Sequence, residues 1–490
     1  MISIRSRRGL AGSAFSLGLA VALSGCMVGP NFQAPRAASP AAFLDDSPPG
    51  NPPYVSGDAI DPQWWTHFDD PLLTRLETMA VRQNFDLQIA TQRLIEAEAQ
   101  AQIEGAQLYP NLSANASYSR NRISADSPTG QFGAAFPAVL QPYNLYQYGL
   151  QTMFDLDLWG KNKRAVEAAV SAARASEEAR RAALLNVEAS VASDYIQLRG
   201  TEAVLGITQK NLQYANQLVR LTAERQQAGL TTSLDVANAK ATAAQISSQI
   251  PTLIAQRDAL IDQIGLLLGQ TPDGLPQDLV NAAPVPLTPP VVPVGLPSDL
   301  LARRPDVREA LDDLHSATAE IGVAKAAFFP DVTLTGSVSF QALQGDMLDK
   351  WKSLTYGFGP NVTLPLFEGG QLRGQLKLSE AKQKESAISY ARTVVTAFTQ
   401  VDTALVNYEQ EHATQDALSV DVQQSKIALG LAEEQYKEGL VDYLTVLNAQ
   451  QTYLAAQQNQ AVSLQKLGTD LVTLYQTLGG GWEGLYPSKK

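Results

Sequence analysis

Cysteine is almost missing from this chain: Cys26 is the only one in 490 residues. A single thiol excludes an intramolecular disulfide framework and any cysteine-based zinc site. Histidine is scarce too. His67, His315 and His412 are scattered, with no Ser/Asp, Cys or metal-ligand spacing around them, so no enzyme constellation is visible. No glycine-rich segment has the form of a phosphate loop; Glu368-Gly369-Gly370 reads as a joint between a strand and a helix. Positive charge is in deficit, with 37 Lys and Arg against 49 Asp and Glu, for a formal charge of −12. Such an acidic chain is a poor nucleic-acid binder. Beyond the N-terminus there is no run of about 18 apolar residues, so no transmembrane helix is expected.

What is present begins with a secretory signal over residues 1–25. Arg5, Arg7 and Arg8 form a positive n-region, Leu10 to Leu23 is apolar and small, and Leu23-Ser24-Gly25-Cys26 closes it. This is a lipobox. The Cys26 thiol is expected to carry diacylglycerol, and its new amino terminus an acyl chain. Met27 stands where an inner-membrane retention signal would place Asp, which favours the outer membrane. Loss of three signal arginines takes the mature charge to about −15.

The chain also repeats itself. Gly229-Leu230-Thr231-Thr232-Ser233-Leu234-Asp235-Val236-Ala237-Asn238-Ala239 returns 210 residues later as Gly439-Leu440-Val441-Asp442-Tyr443-Leu444-Thr445-Val446-Leu447-Asn448-Ala449. Earlier in each half, Tyr109-Pro110-Asn111 matches Phe329-Pro330-Asp331 at an offset of 220. A unit this long means two similar halves, not a solenoid of small repeats.

Within each half the period changes. Four segments alternate: Leu112–Tyr118, Tyr146–Leu158, Val332–Phe340 and Leu354–Leu366. Their even positions are the more apolar and aromatic, as in transmembrane β-strands with lipid on one side and water on the other. Long Ala- and Gln-rich helices are predicted over about Lys161–Ala228 and Leu372–Glu438, free of proline and about 100 Å long. Each ends at a Gly-Leu turn and reverses into a helix, Ser233–Leu268 or Tyr443–Leu478. Helices are also predicted at 72–107 and 298–327, and Pro251 is expected to kink its helix. Two shorter helices match one long helix in length, so they can stack end to end beside it. The expected organisation is a tether at 26–62, a first repeat at 63–269, a Pro-rich linker without regular structure at 270–297, a second repeat at 298–482 and a tail at 483–490.

Four membrane strands cannot stand alone, because in hydrocarbon every sheet edge must be paired. Closure takes about eight strands or more. Two copies would supply eight and three would supply twelve. The helices are rich in Ala, which allows close packing without filling a wide core, so a ring of them would leave a water-filled interior.

At this point the residues resemble a known family. Cys26-Met27-Val28-Gly29-Pro30-Asn31-Phe32, Trp64-Trp65, Asp70-Pro71, Leu301-Ala302-Arg303-Arg304-Pro305-Asp306-Val307, both Gly-Leu tips and Leu478-Gly479-Gly480-Gly481-Trp482 look like the outer membrane factors. The likeness is to the lipoprotein branch of efflux-pump channels (NodT/OprM type, related to TolC). It implies an α+β membrane protein: a homotrimeric 12-stranded transmembrane β-barrel, four strands per chain, continuous with a long periplasmic α-helical barrel. It implies passive export across the outer membrane of a Gram-negative bacterium. Energy comes from an inner membrane pump of the resistance-nodulation-division class, bridged by a periplasmic adaptor. The resemblance places adaptor contacts at Gly229, Leu230, Thr231, Gly439, Leu440 and Val441. It places the pore constriction at Leu444 and Asn448, where Asn448 departs from the common Asp and Asp235 stands near the same level. Arg225, Asp442 and Tyr443 are candidate gate links. No cofactor is implied beyond the acyl groups on Cys26. The alternatives are a type I protein-secretion channel and, in a different class, a coiled-coil lipoprotein without a pore.

Overall fold

The computed structural model describes residues 27–36, 55–56, 58, 60–132, 140–286, 288–289, 291–295 and 297–485. Cys26, the signal 1–25 and residues 486–490 lie outside the described residues.

Both halves run helix, strand, strand, helix, helix. The first contains α1 (Pro71–Gln83), α2 (Phe85–Ala106), β1 (Asn111–Asn121), β2 (Tyr143–Asp155), α3 (Lys161–Gln227) and α4 (Ser233–Leu267). The second contains α5 (Pro305–Ala326), β3 (Asp331–Ala342), β4 (Leu354–Thr363), α6 (Gln371–Glu438) and α7 (Tyr443–Thr477). The long helices α3 and α6 have 67 and 68 residues. Their unbroken length follows from Ala-rich sequence without an internal proline. In α4 the expected bend at Pro251 does not interrupt the helix.

Two predicted helices are broken, and for related reasons. The helix expected over 72–107 divides at Asn84, which leaves helical geometry at ψ 130°. Its Oδ1 accepts the Leu87 amide at 3.0 Å and so starts α2. Its Nδ2 donates at 2.9 Å to the carbonyl of Leu267, the last residue of α4. The helix expected over 298–327 breaks at Arg304, since a residue before proline disfavours helical backbone. Arg304 Nη1 donates at 2.9 Å to the carbonyl of Thr477, the last residue of α7. Its Nε and Nη2 grip Asp306 at 2.9 and 2.7 Å, and Nη2 also donates to Gln400 Oε1 at 2.8 Å. Asn84 and Arg304 are repeat equivalents, 220 residues apart. At each join two short helices meet end to end, as their lengths predict, and one side chain satisfies orphan terminal carbonyls.

Backbone contacts divide the chain into two compact units. The first is formed by Ile95–Arg174, Leu311–Ile388 and the described part of the first 35 residues. It holds a four-stranded antiparallel meander in the order β1-β2-β3-β4. β2 ends earlier than predicted because Asp157 turns the backbone at φ 43° and caps α3. The strand predicted to Leu366 stops at Thr363, ahead of Pro365.

The predicted tether is not free in this unit. Val28 N donates to Trp159 O at 3.0 Å, and Arg164, 2 % exposed, donates to Asn31 Oδ1 at 2.6 Å. Phe32 stacks on His315 at 4.3 Å, and His315 Nε2 lies 2.9 Å from Glu167 Oε1. Gly29 crosses Gly322 so closely that a Cβ on Gly29 would lie 2.5 Å from the Gly322 Cα. Residues 28–32 therefore dock on α3 and α5 through close packing and a buried guanidinium.

The second unit packs its core around Trp64, Phe68, Leu73, Leu76, Leu184 and Trp482, all buried. Trp64 stacks on Tyr475 at 5.2 Å, and the Tyr475 hydroxyl is 3.0 Å from His67 Nδ1. Arg181 and Arg308 lie over Trp482, at 4.8 and 5.3 Å from the ring centroid, and Glu178 pairs with both. The linker carries more structure than its prolines predict. It includes the short helix Gln277–Val280, and Val292–Pro293 pairs in parallel with Val55–Ser56. Arg199 is buried and donates to the Asp278 and Asn281 carbonyls at 3.3 and 2.8 Å, which holds the linker to α3.

Candidate channel wall, gate and docking tips

Pleat parity sorts the whole sheet. Even residues oppose even residues across all three seams: Tyr118 faces Tyr146, Tyr148 faces Phe340, and Val338 faces Tyr356. This one face gathers most of the aromatic and aliphatic residues, Tyr143, Leu145 and Met153 excepted, and much of it is exposed, with Phe358 at 85 %. The odd face presents Ser113, Asn115, Gln151, Thr335, Ser337 and Asn361. Its only charged residues are Asp155 and Asp331, at the end joined to the helices. One apolar face and one polar face that carries charge only at its helix-side end are what a membrane-embedded wall needs. Among the described residues β1 and β4 each have a single neighbour, so both edges of the sheet are open.

The second unit carries both hairpin tips. α3 ends with Gly229 at φ 76° and α6 with Gly439 at φ 79°, a left-handed conformation that glycine adopts without strain. Leu230 N donates to Arg225 O at 2.8 Å and Gly229 N to Gln226 O at 2.9 Å. Leu440 N and Gly439 N repeat this with Gln435 O and Tyr436 O. Both ends are Schellman motifs. The next helices start from Thr232 and Asp442 as N-caps. Leu230, Leu234, Leu440 and Leu444 stay exposed at these turns.

The predicted gate residues separate into three groups. Arg225 joins the two hairpins: its Nη1 donates to Tyr436 O at 2.9 Å and its guanidinium lies 4.4 Å from the Tyr436 ring centroid. Tyr436 in turn packs edge-on against Tyr443 at 6.0 Å, and Tyr443 is buried, which lifts its hydroxyl pKa to about 12. Asp235 and Asp442 are occupied as caps. Asp235 Oδ2 accepts from the Thr231 hydroxyl at 2.6 Å and from Thr232, bonds that hold its carboxyl below the usual range. Asp442 Oδ1 accepts the Thr445 amide at 3.0 Å. Leu444 and Asn448 share one exposed face of α7 at i, i+4 spacing.

Among the links between the hairpins that the sequence does not announce, two use tyrosines. Tyr436 is one; its signal is an aromatic three residues before Gly439, where the first repeat has Gln226. The other is the Tyr214 hydroxyl, hydrogen-bonded to Glu433. Burial first, then that carboxylate, raises the Tyr214 pKa.

An open-edged sheet with one lipid-type face, joined to capped helical hairpins, is the protomer of an outer membrane channel. The chain belongs to the outer membrane efflux protein family, whose model matches residues 77–270 and 296–480. Among its relatives is Nodulation protein T of Rhizobium leguminosarum bv. trifolii, 30% identical over 472 residues, covering 94% of this chain and 95% of that protein. The antibiotic efflux pump outer membrane protein ArpC of Pseudomonas putida is 34% identical over 494 residues, covering 98% and 96%. Among solved structures, the outer-membrane channel OprN superposes with a TM-score of 0.86 at 29% identity, covering 94% of this chain and 100% of that one.

Proposed function

We propose that this protein is the outer membrane channel of a tripartite efflux system. Three copies close a 12-stranded barrel from their four-stranded sheets, and their helices enclose a periplasmic tunnel. Transport through it is passive; an inner membrane pump of the resistance-nodulation-division class and a periplasmic adaptor deliver the substrate. The observation that carries this reading is the sheet itself. It has an exposed aromatic face, a polar face charged only at its helix-side end and, among the described residues, two open edges. A coiled-coil lipoprotein without a pore has no use for such a sheet, while a closed barrel satisfies every edge group in lipid.

In this reading Cys26 carries the acyl groups that hold the chain to the outer membrane. The adaptor reads the tips at Gly229, Leu230, Thr231, Gly439, Leu440 and Val441. Leu444 and Asn448 of three copies ring the resting constriction, and Arg225 with Tyr436 and Tyr443 holds the hairpins in the closed arrangement. Asp235 and Asp442 serve that gate as helix caps that shape the tips. Asp235 keeps its charge there and supplies the acid that Asn448 lacks.

Native mass spectrometry of protein extracted from outer membranes, with conductance recorded on the same sample, tests the proposal. A conducting trimer is the expected result. A monomer, or a trimer that passes no ions, would overturn it.

A further inference from the structure

The end of the sheet remote from the helices has a chemistry that neither gate nor tips use. There Arg120 is the next-to-last residue of β1, which ends at Asn121 and runs on to Arg122, while β4 is entered through Lys350-Trp351-Lys352. Arg120 shares the even face with Tyr118, so it sits on the lipid-type side at the edge of the apolar band. Trp351 is 82 % exposed between its two lysines. Among the described residues, no ion pair or side-chain hydrogen bond engages Arg120, Arg122, Lys350 or Lys352. The acid beside the lysines, Asp349, accepts the Tyr148 hydroxyl at 3.0 Å and is turned onto β2. The other acids of this end are Asp126 and Asp346, both exposed.

We propose that this far rim binds the phosphate-bearing headgroups of outer-leaflet lipid. An exposed indole at the boundary of an apolar band is an interfacial anchor. Long cationic side chains there keep their stems in the apolar zone and their charge among anionic headgroups. The site is built at the seams between copies and so rests on the barrel reading. β1 and β4 are the two open edges, and both present their rim-side ends in the same direction. Closure sets the lysines of one copy beside the arginines of the next, and one phosphate-bearing headgroup meets both pairs.

The test uses the full-length acylated protein in detergent, titrated with diphosphoryl lipid A and followed by native mass spectrometry. Fully dephosphorylated lipid A is the control, and conductance is recorded in parallel. We expect retention of the phosphorylated lipid. Arg120→Gln/Arg122→Gln and Lys350→Gln/Lys352→Gln should each weaken it about tenfold or more, with unchanged conductance. Lys350→Arg/Lys352→Arg should restore it and guards against a folding defect. Equal retention of the dephosphorylated lipid, or undiminished retention by the four-fold Gln variant, would overturn the proposal. So would a conducting wild-type trimer that retains no lipid. A wild type that neither trimerises nor conducts would instead refute the channel reading.

Discussion

Replacing Glu188 with Gln should make the protein more stable at neutral pH and change little in acid. Glu188 on α3 and Glu77 on α1 are both 0 % exposed, and among the described residues none of their four carboxyl oxygens has a hydrogen-bond partner. Burial holds both carboxyls protonated well above the ordinary 4.5, with repulsion from Glu188 adding at Glu77 and from Glu483 at Glu188. Glu483 is itself paired with Arg303. The sign follows from linkage. Below the ordinary value both folded and unfolded chains are protonated, and these groups leave stability unchanged. Above it the unfolded chain sheds protons that the folded chain keeps. Stability then falls by about 1.4 kcal/mol per pH unit for each such carboxyl, until the folded group ionises. Gln keeps the shape and removes one titration, so the fall due to this pair should lose about half its slope. Circular dichroism at 222 nm, with unfolding followed at half-unit steps from pH 4.5 to 7.5, measures the difference between wild type and Glu188→Gln. Parallel pH profiles would refute the argument, as would a variant less stable than wild type at pH 7.

Four further perturbations follow from the same geometry. Arg304→Ala orphans the Thr477 carbonyl, Gln400 and Asp306, and should cost about 2–3 kcal/mol in chemical unfolding, with Arg304→Lys in between. Leu444→Ser should raise single-channel conductance in planar bilayers; unchanged conductance removes Leu444 from the gate. A Cβ at Gly229 or Gly439 meets nothing within 4 Å, so Val at either site should weaken adaptor capture through backbone strain alone, while Asn is tolerated. Cys26→Ser should abolish membrane labelling by radioactive palmitate.

The alternating segments were legible because pleat parity is a local code. Tyr118, Tyr148 and Phe340 declare their face in sequence, and the ladders keep that parity across three seams. The tips were legible for a similar reason, since Gly229 and Gly439 each follow a long helix-forming run, the position where glycine takes a left-handed end. The joins at Asn84 and Arg304 were hidden, because each side chain caps a helix that ends more than 170 residues away in sequence. No local pattern reports such a partner. Asp235 and Asp442 show the converse. Their residue type fits a charged gate, yet their nearest neighbours Thr232 and Thr445 make them caps, and spacing alone does not choose between the two. Glu77 and Glu188 lie on helices whose sequence looks solvated, and only packing reveals that both have lost water.

The docking of Met27 to Phe32 has a mechanical consequence. Val28 is hydrogen-bonded to Trp159, just past the end of β2. Anything attached at residue 26 therefore begins two peptide units, about 7 Å, from a backbone already fixed to the sheet-bearing unit. In the acylated form proposed above, the lipid has almost no leash and acts as a depth gauge, setting how far the apolar band rises or sinks in the bilayer.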